Sequence, residues 1–142
     1  LAEQFWQTIP LPKPNPTIPP GYAITGKPAY LVTNGSLHPS PYTRATPLGQ
    51  LVITATGSYD IDWGDSVPSS WAGPYGEEGQ PWPDGQIFHT YDVAGTYNVV
   101  VRENWTASWV IGAAHGVLGD LHTEATIPAY QVKQLQAIIT TS

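Results

Sequence analysis

Tyr59-Asp60-Ile61-Asp62-Trp63-Gly64-Asp65-Ser66 and His89-Thr90-Tyr91-Asp92-Val93-Ala94-Gly95-Thr96-Tyr97-Asn98-Val99-Val100-Val101 are the two runs on which the fold turns. The first alternates as a half-buried strand does: Tyr59, Ile61 and Trp63 share one face, Asp60 and Asp62 the other. Gly64-Asp65-Ser66 ends it, because glycine accepts a left-handed backbone and Asp and Ser side chains bond back to nearby backbone. The second run reads as strand, turn, strand. Gly95 supplies the turn, after which Tyr97, Val99 and Val101 point one way and Asn98, Val100 and Arg102 the other.

Working outward, the composition agrees with an all-β domain. The chain has 142 residues, including 15 Pro and 14 Gly. That length suits one domain burying about two-thirds of its unfolded surface. Frequent turn residues and period-2 segments favour strands over helices. No run approaches the roughly 18 apolar residues of a membrane helix. Net charge is −6 with only five basic residues, too few for a phosphate-tracking stripe, so nucleic acid is not an expected partner. Without cysteine there is no disulfide, thiol catalysis or thiolate metal site.

Asp62-Trp63-Gly64-Asp65, followed by His89-Thr90-Tyr91 and by Ala94-Gly95-Thr96-Tyr97 with Val99 and Val101, resembles the polycystic-kidney-disease (PKD) domain. The wider pattern is similar to exported PKD-like proteins of actinobacteria. It runs from Gly26-Lys27-Pro28-Ala29-Tyr30-Leu31 through Trp105-Thr106-Ala107 to Val132-Lys133-Gln134-Leu135-Gln136-Ala137. The resemblance implies an immunoglobulin-like antiparallel β-sandwich from outside the cell, secreted or surface-bound. Its signature residues are Asp62, Trp63, Gly64, Asp65, His89, Tyr91, Gly95 and Tyr97. Ser66 stands where the family pattern has Gly, and the loop between the signatures is longer than a PKD domain needs. With no Met anywhere, Leu1 is expected to be either a processed end left by a removed export signal or a boundary cut from a longer chain; both remain open.

Residues 1–28 read as an extended Pro-rich arm and 29–142 as the PKD-like domain. Leu1 to Thr8 can form a helical turn or a short strand. Ile9 to Pro20 is expected to be polyproline-like. Phe5, Trp6, Ile9 and Leu11 need burial, so an ordered arm must dock on its own domain or on a neighbour; both remain open.

Along the domain, the first strand is expected at Tyr30 to Thr33, closed by Asn34-Gly35. A loop follows from Leu37 to Pro47, then a strand from Leu48 to Thr56. Gly57 should turn that strand into a hairpin with the Asp62-Trp63 strand. Ser66 to Gly85 is a long loop. The strand beginning near Gly95 should continue to Ile111, with a flexible hairpin tip over Gly112 to Gly119. The return strand runs from Asp120 to Ile127, Pro128 breaks it, and Tyr130 to Ile139 is the last strand, bulged near Gln134.

Asp60, Asp62 and Asp65 invite calcium, since clustered carboxylates suit a hard cation. Gly64 and Trp71 occupy places where an EF-hand loop needs ligands, so a turn-capping role is the stronger reading and no cofactor is expected. His38, His89, His115 and His122 show no zinc spacing. Glu77, Glu78 and Asp84 could pair for glycoside hydrolysis only at a separation the sequence does not set. No nucleophile elbow or phosphate loop is present. An enzyme is therefore not expected. Trp71, Tyr75 and Trp82 could offer flat rings to a sugar or a protein partner, or could cap the end of a sandwich. Trp63, Trp105 and Trp109 are assigned to the core or its margins. Asn34-Gly35-Ser36 and Asn104-Trp105-Thr106 match the glycosylation pattern, which a bacterial protein would leave unused. The function expected is non-catalytic: a module acting by protein–protein contact, with self-assembly through the arm as its sharper form. A carbohydrate-binding module using the 71–82 loop is the alternative.

Overall fold

A computed structural model describes residues 1–134. One helix, α1 (Ala2–Thr8), precedes eight strands: β1 (Tyr22–Ile24), β2 (Pro28–Tyr30), β3 (Tyr42–Thr46), β4 (Gly49–Asp62), β5 (Ala72–Tyr75), β6 (Phe88–Thr90), β7 (Gly95–Ile111) and β8 (Ala114–Lys133). The described residues are all-β apart from α1. Strands β1-β8-β7-β4-β3 form one curled sheet in that order, β5 pairs with the far half of β4, and β2 and β6 make a separate two-stranded sheet. The β1–β8 pairing is parallel, so the main sheet is mixed rather than purely antiparallel.

Alternation is what makes the long strands. Leu51, Ile53, Ala55, Tyr59, Ile61 and Trp63 follow one another at odd positions and all are buried. Val99, Val101, Trp105 and Ala107 do the same on β7. Their β-branched and aromatic side chains suit a pleated surface with one buried face. The inward face carries two core clusters. At one end Leu51, Ile53, Trp105, Ile111 and Leu118 are sealed by Ala2, Trp6 and Ile9 of the arm. At the other, Tyr59, Ile61, Val99, Val101, Tyr130 and Val132 are covered by residues of the first 40 positions together with Ile87 and Tyr91.

Several expectations about strand limits are corrected. Gly57 does not turn the chain: it lies inside β4, whose register with β7 runs unbroken from Leu51↔Ile111 to Asp62↔Val100. A Cβ at Gly57 would come within 2.6 Å of Glu103 Oε2 and 3.2 Å of the Trp105 ring, so the glycine is there for close approach and not for a bend. The Leu37–Pro47 loop contains β3, joined to β4 by the short Pro47-Leu48 turn. The 66–85 loop contains β5. The tip expected over Gly112 to Gly119 is only Gly112-Ala113, and β8 starts at Ala114.

Pro128 does not break β8 either. Asn98 faces two residues, Pro128 and Ala129, across the ladder, and a second irregularity sets Thr106 against Gly119-Asp120. Ala129 takes a left-handed φ of 50° and donates its N–H to Asn98 Oδ1 at 3.0 Å; the bulge expected near Gln134 falls where the described residues end. Leu135, Ala137 and Ile139 of the expected last strand lie outside the described residues. The first strand is displaced as well: β2 ends at Tyr30, and Val32 instead makes a single bridge with Thr17.

Candidate functional site

The signature residues converge at one end of the sheet. Gly64 closes the turn after β4 at φ 85°, and its N–H donates to Asp62 Oδ1 at 3.0 Å. That brings Asp65 Oδ2 to 2.6 Å from His89 Nε2 on β6. The His89 ring stacks on Trp63 at 5.0 Å. Tyr91 packs edge-on against His89 and stacks on Tyr97, and its buried hydroxyl donates to the Trp63 carbonyl at 2.8 Å. Burial raises the Tyr91 phenol well above its ordinary value, with Asp65 adding to the rise. These contacts close the end of the core.

The three carboxylates proposed for calcium are separately engaged. Asp62 holds the turn and Asp65 holds His89, while Asp60 Oδ2 accepts from Asn104 Nδ2 at 2.8 Å. Among the described residues no group of three acidic or histidine side chains is arranged to hold a metal.

The aromatic loop residues are dispersed. Trp71 lies with Arg102 over its ring at 4.2 Å, on the outward face of the sheet. Tyr75 stands opposite Tyr59 and packs against the inward core, and burial raises its phenol pKa, with Glu77 contributing. Trp82 is 73% exposed. Trp71 and Tyr75 thus serve opposite faces, and Trp82 alone offers a largely free ring.

The arm docks on its own domain. Trp6 is completely buried and its indole Nε1 donates to the Gly119 carbonyl at 2.7 Å. Phe5 lies under the Arg44 guanidinium at 5.2 Å, and Ile9 is buried while Leu11 is partly so. Beyond α1 the Pro-rich segment stays attached: Thr123 Oγ1 donates to the Pro12 carbonyl, and Asn15 N–H donates to the Thr33 carbonyl, both at 2.9 Å.

Two features escaped the sequence reading. One is Glu103, wholly buried between the two core clusters. Neither carboxylate oxygen has a hydrogen-bond partner of good geometry among the described residues, although the similarly unpartnered Tyr59 hydroxyl lies beside it. Burial raises the Glu103 carboxyl to about 8, with a further push from Glu78 and an opposing pull from Tyr59. The signal was present, because Glu103 stands in phase with Val99, Val101 and Trp105 at an inward position.

The other feature is the outer edge of β8. Beyond β1, which covers only Gln131 to Lys133, no backbone hydrogen bond among the described residues reaches β8 from the side away from β7. Ala114 to Ile127 contains neither Lys nor Pro, the residues that usually guard such an edge. No protein-family model matches the chain, and no curated protein or solved structure is significantly similar to it.

Proposed function

We propose that the chain is a non-catalytic structural or adhesion module of the PKD-like, immunoglobulin type, working outside the cell by protein–protein contact. The observation that carries this is the edge of β8, uncovered among the described residues. An unpaired row of N–H and C=O groups binds another strand by main-chain bonds. The arm, by contrast, spends Trp6 and Ile9 on its own sheet, so assembly through it would require exchange of α1 between copies. Contact therefore passes to the strand edge in this reading.

The test is the mass of the protein in solution, followed by light scattering across a concentration series. A reversible rise in mass supports contact through the protein's own surface. A strict monomer at every concentration overturns self-contact. The second reading, a glycan-binding module, is favoured by the exposed Trp82 ring. It predicts quenching of tryptophan fluorescence by a glycan and loss of that signal in Trp82→Ala; a glycan array without a hit removes it.

A further inference from the structure

The sequence along the free edge says which partner it fits. Between the two bulges of β8 lies Leu121-His122-Thr123-Glu124-Ala125 and the following Thr126-Ile127. Side chains alternate across this run. His122 and Glu124 face outward, opposite Asn104 and Arg102 of β7, while Leu121, Thr123 and Ala125 turn inward and are only partly buried. Resting on the reading of the protein as a contact module, we infer that the occupant is the same edge of a second copy, paired antiparallel about a two-fold axis at Thr123.

The register follows from charge and shape. Antiparallel self-pairing makes the two residue numbers of each facing pair sum to a constant. Centred on Glu124, it would set two carboxylates against each other, which opposes pairing. Centred on Thr123, it sets His122 against Glu124 of the other copy, twice, and Leu121 against Ala125. Leu121 and Ala125, each half-covered in one copy, then gain cover from each other on the inward side. Glu124 is already positioned for this by Arg102, whose Nε donates to Glu124 Oε2 at 3.0 Å. Within one chain His122 Nε2 is 3.9 Å from the same oxygen, beyond hydrogen-bond reach. The arm bounds the contact at one end, where Trp6 occupies the Gly119 carbonyl, and on the inward side of Thr123, where the Pro12 carbonyl accepts from Thr123 Oγ1 at 2.9 Å. Five residues per copy give a weak, concentration-dependent dimer.

The experiment uses the full chain and three forms of it: the parent, His122→Glu, and the exchange His122→Glu with Glu124→His. Both side chains are largely solvent-facing, at 58% and 40% exposed, so the fold tolerates the changes, and near-UV circular dichroism checks it. Sedimentation equilibrium is expected to show His122→Glu weakening the dimer about tenfold or more, since it gathers four carboxylates at the seam. The exchanged form is expected to recover about threefold or more of that loss, because the complementary pairs are rebuilt in the opposite sense, though without Arg102 beside the carboxylate. Association that is indifferent to His122→Glu, or not restored by the exchange, overturns this register while leaving the contact reading in place. A parent that stays monomeric throughout the series defeats the contact reading itself.

Discussion

Replacing Glu103 by Gln removes a titratable group from the seam between the two core clusters while keeping its shape. The wild-type carboxyl is held at about 8 in the folded protein against an ordinary value of 4.5, mainly because burial disfavours the charged form. The folded protein therefore keeps a proton that the unfolded chain releases. That contribution to stability is fully present below pH 4.5 and is lost as pH rises to about 8. At 1.36 kcal/mol for each pH step, the ceiling on the loss is roughly 5 kcal/mol. Local relaxation and a Tyr59 hydroxyl turned to donate to the carboxylate reduce it, and about 2 kcal/mol is the expected effect at pH 8. Glu103→Gln should match the parent near pH 4 and exceed it by that amount at pH 8. Urea titrations followed by tryptophan fluorescence at intervals from pH 4 to 9 measure it. Subtracting variant from parent cancels the other titrating groups. A flat difference between pH 4.5 and 8 would refute the reasoning, since a buried carboxyl could not then be changing its proton occupancy on unfolding.

Two further substitutions probe what holds the sheet. Trp6→Ala should cost about 3–5 kcal/mol by urea denaturation, because it empties a fully buried indole site and leaves the Gly119 carbonyl without its donor; a loss below about 1 kcal/mol would mean that α1 is not part of the folded core. Gly57→Ala should destabilise by about 1–3 kcal/mol, because its methyl would stand 2.6 Å from the Glu103 carboxylate. It should cost about as much in Glu103→Gln, whose amide fills the same space, and the Trp105 ring also crowds that position; a loss below about 0.5 kcal/mol in either background would show that the strand shifts freely to admit the methyl.

The faces of the long strands were legible in the residues. Alternation alone puts Leu51, Ile53, Tyr59, Ile61, Val99 and Val101 inside, because a strand sends successive side chains to opposite sides whatever it pairs with. The uninterrupted run from Gly95 to Ile111 was legible for the same local reason. So was the need of Trp6 and Ile9 for burial, though not the surface that would supply it.

What only the tertiary structure decided are relations between distant residues. Gly57 carries the same local mark as a turn glycine, and only the approach of Glu103 and Trp105, more than 40 positions away, shows that it serves packing inside a continuous strand. Pro128 and Gly119 look like strand breaks until the partner strand shows each as a bulge that β8 absorbs. Trp71, Tyr75 and Trp82 are close in sequence, but Trp71, just before β5, and Tyr75, at its end, lie on opposite faces of the sheet. The free edge of β8 follows from strand order, which no local pattern encodes, because hydrogen-bonding capacity is the same for every residue but Pro and is consumed only when neighbours assemble.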